Sequence, residues 1–165
     1  MKVVDWHDPH QVCAIAESVP DPGSALSSMI ANKGGATMIP CLLKIAQGDA
    51  YGHKDSPSML ESDRANAIPM LVQLGAATPN LSEADRRVVQ ETTVRGLRDS
   101  DELIREVTVR AVGDFGTPDL IPVLEDIARF DPYSRPKEDT QGGRYDLREL
   151  AAEAIRSIQS RSKTN

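Results

Sequence analysis

The residues nearest the amino terminus form the densest group of potential metal ligands in the chain. Imidazole, thiolate and carboxylate groups are the usual ligands of zinc and iron. The group consists of Asp5, His7, Asp8, His10 and Cys13. Pro9 interrupts a continuous helix between the two histidines, and an aspartate followed by proline is typical of a helix start. We therefore predict a helix from residue 9 to 18 and no metal site.

Three arginines recur at one position of an internal repeat: Arg64, Arg105 and Arg148. Such a row could be catalytic, or it could be a structural ladder in which each guanidinium bridges acidic groups or helix ends of neighbouring units. A residue that repeats with the fold usually serves the fold. We therefore predict a structural ladder.

Composition limits the functions that remain. The net charge of −6 argues against a general nucleic-acid binder, which normally carries a basic stripe, and suits a basic protein partner. No glycine-rich phosphate loop, nucleophile elbow or catalytic dyad is visible in the sequence. We expect no enzymatic activity, no cofactor, no membrane partner and a monomer when unbound.

The chain is expected to be cytoplasmic, because it shows no apolar signal region and no apolar run of membrane-spanning length. The two cysteines, Cys13 and Cys41, lie among apolar residues at helical spacing. They are predicted to be free, buried thiols in a reducing compartment.

The elements that carry these residues show helical periodicity. One apolar face is formed by Leu120, Ile121, Leu124, Ile127 and Ala128, and its counterpart 82 positions earlier by Met38, Ile39, Leu42, Ile45 and Ala46. Asp119 and Thr37 precede these faces and are predicted to cap the helices. A second register at half that distance relates the arginines and the glycines Gly75 and Gly116. A period near 41 residues is typical of a helical solenoid.

Residues 96–128 read G-L-R-D-S-D-E-L-I-R-E-V-T-V-R-A-V-G-D-F-G-T-P-D-L-I-P-V-L-E-D-I-A. The acidic turn, the early arginine, the small-residue end and the proline-led second helix resemble a HEAT-like repeat of the bilin-lyase type. Residues 146–158 resemble the first helix of another repeat, and residues 34–46 resemble a second helix. This family contains scaffolds, enzymes and inhibitors alike, so the resemblance implies a fold more than a function.

We predict an all-α protein: a short right-handed α-solenoid of HEAT-like helix pairs with about 8 helices in a single domain, residues 1–165. Residues 1–33 form an amino-terminal cap and the first helices. The repeat helices fall within 34–48, 61–98, 101–130 and 144–161, and long loops span 49–60 and 131–143. Pro69 lies inside a predicted helix at 63–74, which either kinks there or begins later.

The two long loops both open with Asp-x-Tyr and follow equivalent helices, so both should emerge from one edge. One interpretation makes them a recognition rim, formed by Tyr51, His53, Lys54, Tyr133, Arg135, Lys137 and Glu138. The other makes them solvated insertions. A polar strip beside the rim is expected to contain Lys44, Gln47, Asp126 and Arg129.

These features favour a protein-binding module. The specific hypothesis is an immunity protein or inhibitor that neutralises a bacterial toxin domain by stoichiometric binding. The alternatives are a general scaffold or adaptor and, third, a HEAT-like enzyme, either a lyase or a relative of DNA-repair glycosylases. The glycosylases need a basic groove and an aromatic-lined pocket, for which this chain looks poorly equipped.

Overall fold

Every element that the structure describes is helical. A computed structural model of the chain describes residues 5, 8, 11, 35–48, 57–133 and 147–163, with no strand in these ranges. Its α-helices there are α1 (Ile39–Ala46), α2 (Pro57–Ala77), α3 (Glu83–Leu97), α4 (Glu102–Phe115), α5 (Ile121–Phe130) and α6 (Leu147–Ser162). Short 3₁₀ helices, Gly35–Met38 and Pro118–Leu120, precede α1 and α5. The all-α prediction is confirmed for these residues. The predicted helices at 9–18 and 24–32 lie outside them, except for the helical Gln11.

Contacts group the chain into two compact units, residues 1–93 and residues 94–165. The division falls within α3. Each unit is described by itself below. The prediction of a single domain over residues 1–165 stays a prediction.

The two helices related by 82 positions, α1 and α5, begin in the same way. In each, a 3₁₀ helix leads into the α-helix and a proline, Pro40 or Pro122, occupies the first turn. The predicted caps are wrong, because the capping residues are Met38 and Leu120 and neither makes a side-chain capping bond. A 3₁₀ turn already gives early amides a backbone acceptor, as in the bond of 3.1 Å from Leu120 N–H to the carbonyl of Thr117. The carboxylate of Asp119 instead accepts a hydrogen bond from the Thr117 hydroxyl.

Helix α2 is longer than the sequence predicted. It begins at Pro57 and continues through Pro69 to Ala77, so the alternative of a later start is wrong. The predicted loop at 49–60 is correspondingly wrong for residues 57–60, which are helical. Proline is favourable at the first position of a helix, where its missing N–H has no intrahelical partner to lose. The proline and serine that suggested a loop therefore mark a helix start.

In the first unit, α1 packs against α2. The core side chains include Leu42, Ile45, Ile68 and Leu71, all buried. Helix α2 also approaches α3 closely, because a Cβ atom on Gly75 would lie 3.0 Å from Cγ1 of Val89.

Cys41 is buried within α1, and the sequence prediction of a free thiol is wrong for it, since Cys41 is disulfide-bonded. Helical periodicity reports that a cysteine faces the core but carries no information on which chain segments meet there. Cys13, the other cysteine of the chain, lies outside the described residues.

In the second unit, α6 packs against both α4 and α5. The buried apolar side chains of this unit come from all three helices and include Ile104, Val109, Val112, Leu124, Leu150, Ala154 and Ile158. The hydroxyl of Thr108, also fully buried, donates a hydrogen bond of 2.6 Å to the carbonyl of Ile104 within α4. The threonine is therefore tolerated in the core because its polar atom is satisfied.

Candidate functional site

The three repeated arginines all donate to backbone carbonyls at the carboxyl end of the preceding helix. Arg64 Nε lies 3.2 Å from the carbonyl oxygen of Ala46, at the end of α1. Arg148 Nε lies 2.7 Å from the carbonyl oxygen of Asp131, just past α5. Arg105 Nη1 lies 2.8 Å and 3.0 Å from the carbonyl oxygens of Asp99 and Ser100, just past α3.

These contacts have a common physical basis. The last carbonyls of a helix have no intrahelical partner, and they form the negative end of the helix dipole. A guanidinium group supplies several donors and a positive charge at that position. The geometry is that of side chains holding helix ends.

Arg105 also forms an ion pair with Asp131 at the end of α5. Its Nε lies 2.9 Å and its Nη2 3.4 Å from the two carboxylate oxygens. The two side chains are 12% and 5% exposed. The same carboxylate accepts the backbone N–H of Tyr133 at 2.9 Å. Asp131 therefore joins α4, α5 and the start of the second long loop. Sequence reasoning noted this aspartate only as part of Asp-x-Tyr.

A fourth arginine, Arg161 in the last turn of α6, makes the same kind of contact without belonging to the repeated row. Its guanidinium donates to the carbonyls of Gly113 at 2.5 Å and Gly116 at 3.0 Å, at the carboxyl end of α4. Nothing in its sequence position indicated this role, because the acceptors lie more than 40 residues earlier in the chain.

The structure covers only one residue of the predicted recognition rim. Tyr133 is half-buried, and its backbone is fixed by the bond to Asp131. The other rim residues lie outside the described residues: Tyr51, His53, Lys54, Arg135, Lys137 and Glu138. The rim hypothesis stays a prediction.

The predicted polar strip is divided between the two units. Lys44 and Gln47 are exposed on α1 in the first unit. Asp126 and Arg129 are exposed on α5 in the second. Phe130, the last residue of α5, is 72% exposed, the most of the large apolar side chains described. The sequence prediction did not include this residue.

A groove of about 220 Å³ runs between α4 and α6 in the second unit. Small or apolar side chains form part of its lining, together with charged and hydroxyl side chains: Val109, Arg110, Gly113, Asp114, Leu150, Glu153, Ala154 and Ser157. Asp114 and Glu153 are exposed and stand on different helices. Sequence reasoning did not identify the groove, because it depends on how two helices pack.

The amino-terminal ligand group is covered only in part. Asp5 and Asp8 are both bonded to Gln11: the Asp5 N–H donates to Oε1 of Gln11 at 3.1 Å, and Nε2 of Gln11 donates to the Asp8 carboxylate at 3.0 Å. His7, His10 and Cys13 lie outside the described residues. Within the part of the chain that the structure describes, no cluster of histidine, cysteine and acidic residues could hold a metal ion.

Two further observations bear on the chain as a whole. Among the helices of the described ranges, none combines the length and the apolar character needed to cross a membrane. The chain matches no protein-family profile, no curated protein and no solved structure.

Proposed function

We propose that the protein is a non-catalytic protein-binding module, built as a short solenoid of HEAT-like helix pairs. The observation that carries this proposal is the exposed face of α5, where Asp126, Arg129 and Phe130 are all open to solvent. Aromatic and arginine side chains contribute most of the binding energy at protein interfaces. A phenylalanine that gains little from burial within its own unit gains apolar contact when a partner covers it.

Within this class, we propose an immunity protein or inhibitor that neutralises a toxin domain, with a general scaffold as the second candidate. The net charge of −6 favours a basic partner and speeds its association. An inhibitor must bind one partner tightly and in a fixed ratio. A scaffold binds several partners, each more weakly, so stoichiometry and affinity separate the two candidates.

The experiment begins with the tagged full chain as bait in a lysate of its native host. A captured protein is then purified and titrated calorimetrically against the chain. A one-to-one complex, together with loss of the partner's toxic activity, supports the inhibitor. Binding to several unrelated proteins supports the scaffold. Failure of the chain to bind any purified candidate partner contradicts the proposal.

Two sets of variants then locate the interface. Replacement of Arg129 and Phe130 by alanine should weaken the complex by about tenfold or more, which corresponds to about 1.4 kcal/mol. The rim hypothesis predicts a similar loss for Tyr133→Ala combined with Arg135→Ala. Loop variants that bind like the wild type, beside α5 variants that do not, would contradict the rim and leave the α5 face intact.

We also propose a cytoplasmic location, against which the disulfide at Cys41 is the one relevant structural observation. Structural disulfides persist in oxidising compartments and are rare where glutathione keeps thiols reduced. Thiol alkylation of the protein in intact host cells, followed by mass spectrometry, separates the two. Both cysteines alkylated would support a cytoplasmic location, and neither alkylated would place the protein in an oxidising compartment.

A further inference from the structure

We propose that the groove between α4 and α6 binds a basic side chain, an arginine or a lysine, of a protein partner. This inference rests on the proposed function as a binding module and names the chemistry that one of its surfaces recognises. It concerns a different surface from the exposed face of α5.

The groove exists because two small residues face each other across it. A Cβ atom on Gly113 would lie 3.3 Å from the Cβ atom of Ala154, so α4 and α6 approach closely at this point. Neither residue has a side chain long enough to fill the space above, which has a volume of about 220 Å³. Val109 and Leu150, both buried, add apolar surface to the lining.

The charges along the groove favour a cation. Asp114 on α4 and Glu153 on α6 are exposed lining residues, and neither takes part in the ion pairs found in the described part of the chain. The only cationic lining residue is Arg110, whose Nη2 lies 3.0 Å from the Glu106 carboxylate. Arg161, in the last turn of α6, directs its donors to the carbonyls of Gly113 and Gly116.

A long basic side chain matches both properties of the groove. Its aliphatic stem can cover apolar surface while its charged head stays near solvent. Carboxylates on both helices can then accept its donors, and the Ser157 hydroxyl offers another acceptor. Each exposed contact contributes little, about 0–1 kcal/mol, so the groove adds selectivity for a basic residue rather than most of the affinity.

The test is a nuclear magnetic resonance titration of the full chain with a capped peptide, acetyl-Gly-Arg-Gly amide. The neutral control is the same peptide with citrulline, which has the shape of arginine without its charge. We expect the arginine peptide to shift the amide signals of Val109, Gly113 and Ala154, and the citrulline peptide to bind at least about fivefold more weakly. Equal binding of the two peptides, or arginine-induced shifts spread over all acidic surfaces, would overturn the proposal.

A charge-matched pair of variants gives a second measurement. Asp114→Asn combined with Glu153→Gln should weaken arginine-peptide binding by about fivefold to tenfold, with an unchanged melting temperature. The control is Glu61→Gln combined with Glu125→Gln, which removes the same charge from exposed positions on α2 and α5. If the control loses binding equally, general electrostatic attraction explains the effect and the groove is not the site.

The titration also separates this inference from the proposed function. Peptide binding in the groove can be measured whether or not a native partner is found. A native partner that binds the Asp114→Asn, Glu153→Gln variant as tightly as the wild type would contradict the groove and leave the binding module intact. A wild-type dimer that these substitutions dissociate, seen by sedimentation, would overturn the proposal in favour of a second copy of the chain as occupant.

Discussion

Helices α1 and α5 share their apolar pattern but end in different ways. Helix α1 stops at Ala46, and Gly48 follows in the left-handed region with φ of 81°, its N–H bonded to the carbonyl of Ile45 at 3.0 Å. The position 82 residues later is Phe130, which remains helical. Helix α5 therefore runs two residues further than the glycine allows α1 to run, and the chain leaves it at Asp131.

The arginine contacts follow this difference. At the end of α1, Arg64 donates to a backbone carbonyl. At the end of α5, Arg148 makes the same kind of contact, and Arg105 adds a buried ion pair to Asp131. In the sequence, the position 82 residues before Arg105 is Gly23, so the first copy has no arginine there. The apolar face is the same in both copies, whereas the helix end, from which the loop departs, has changed.

The largest expected effect is on the ion pair that only the α5 end contains. Arg105→Ala leaves the carboxylate of Asp131 buried with the Tyr133 N–H as its remaining described donor, and removes two bonds to helix-end carbonyls. Removing one partner of a buried pair costs about 3–5 kcal/mol, more than the 1–3 kcal/mol expected for partly buried charge-assisted bonds. Urea denaturation of wild type and variant measures the loss.

The control for this prediction is another arginine–carboxylate pair with a different environment. Arg87 and Glu91 lie 3.1 Å apart on α3, with side chains 80% and 50% exposed. Arg87→Ala should change the free energy of unfolding by less than about 0.5 kcal/mol. Similar losses for the two variants would mean that burial does not distinguish these pairs.

Periodicity was enough to predict the helices but not their ends. The apolar spacing identified both copies, and the predicted bounds of α4, residues 102–115, agree with the structure. Asp101 caps α4 by accepting from the amides of Leu103 and Ile104, as an aspartate before a helix should. The caps assigned to Thr37 and Asp119 were wrong, because proline-led 3₁₀ turns precede α1 and α5.

The contacts that define the candidate sites could not be predicted, because their partners are distant in the sequence. Arg105 and Asp131 are 26 residues apart, and Arg161 reaches back 48 residues to Gly113. The groove depends on Gly113 meeting Ala154 across two helices. A repeat period predicts that helices stack, but it does not give the register in which particular side chains meet.

The second prediction compares the contact that both helix ends share. Arg64→Ala and Arg148→Ala should each lower stability by about 1–2 kcal/mol, because each removes a charge-assisted bond to a helix-end carbonyl. Thermal unfolding measures the loss, and partner binding should survive in the folded fraction. A variant that melts like the wild type but no longer binds its partner would show that the arginine row serves recognition.

The third prediction concerns the glycine that ends α1. Gly48→Ala places a Cβ atom in the left-handed region, which costs about 1 kcal/mol. The strain must come from the backbone, because the nearest neighbour of that Cβ, Cδ of Arg64, would lie at an ordinary 3.9 Å. Gly48→Asn should lose less, since asparagine tolerates this conformation better. Equal losses for alanine and asparagine would point to packing rather than backbone conformation.

The smallest expected change in stability is at the corresponding position of the second copy. Phe130→Ala removes a side chain that is 72% exposed, and alanine favours the helix more than phenylalanine does. The two effects oppose each other, so the free energy of unfolding should change by less than about 0.5 kcal/mol. Denaturation of the wild type and the variant under identical conditions measures this difference. A loss above about 1.5 kcal/mol would show that Phe130 is packed within its own chain, and the α5 face would then lose its aromatic anchor.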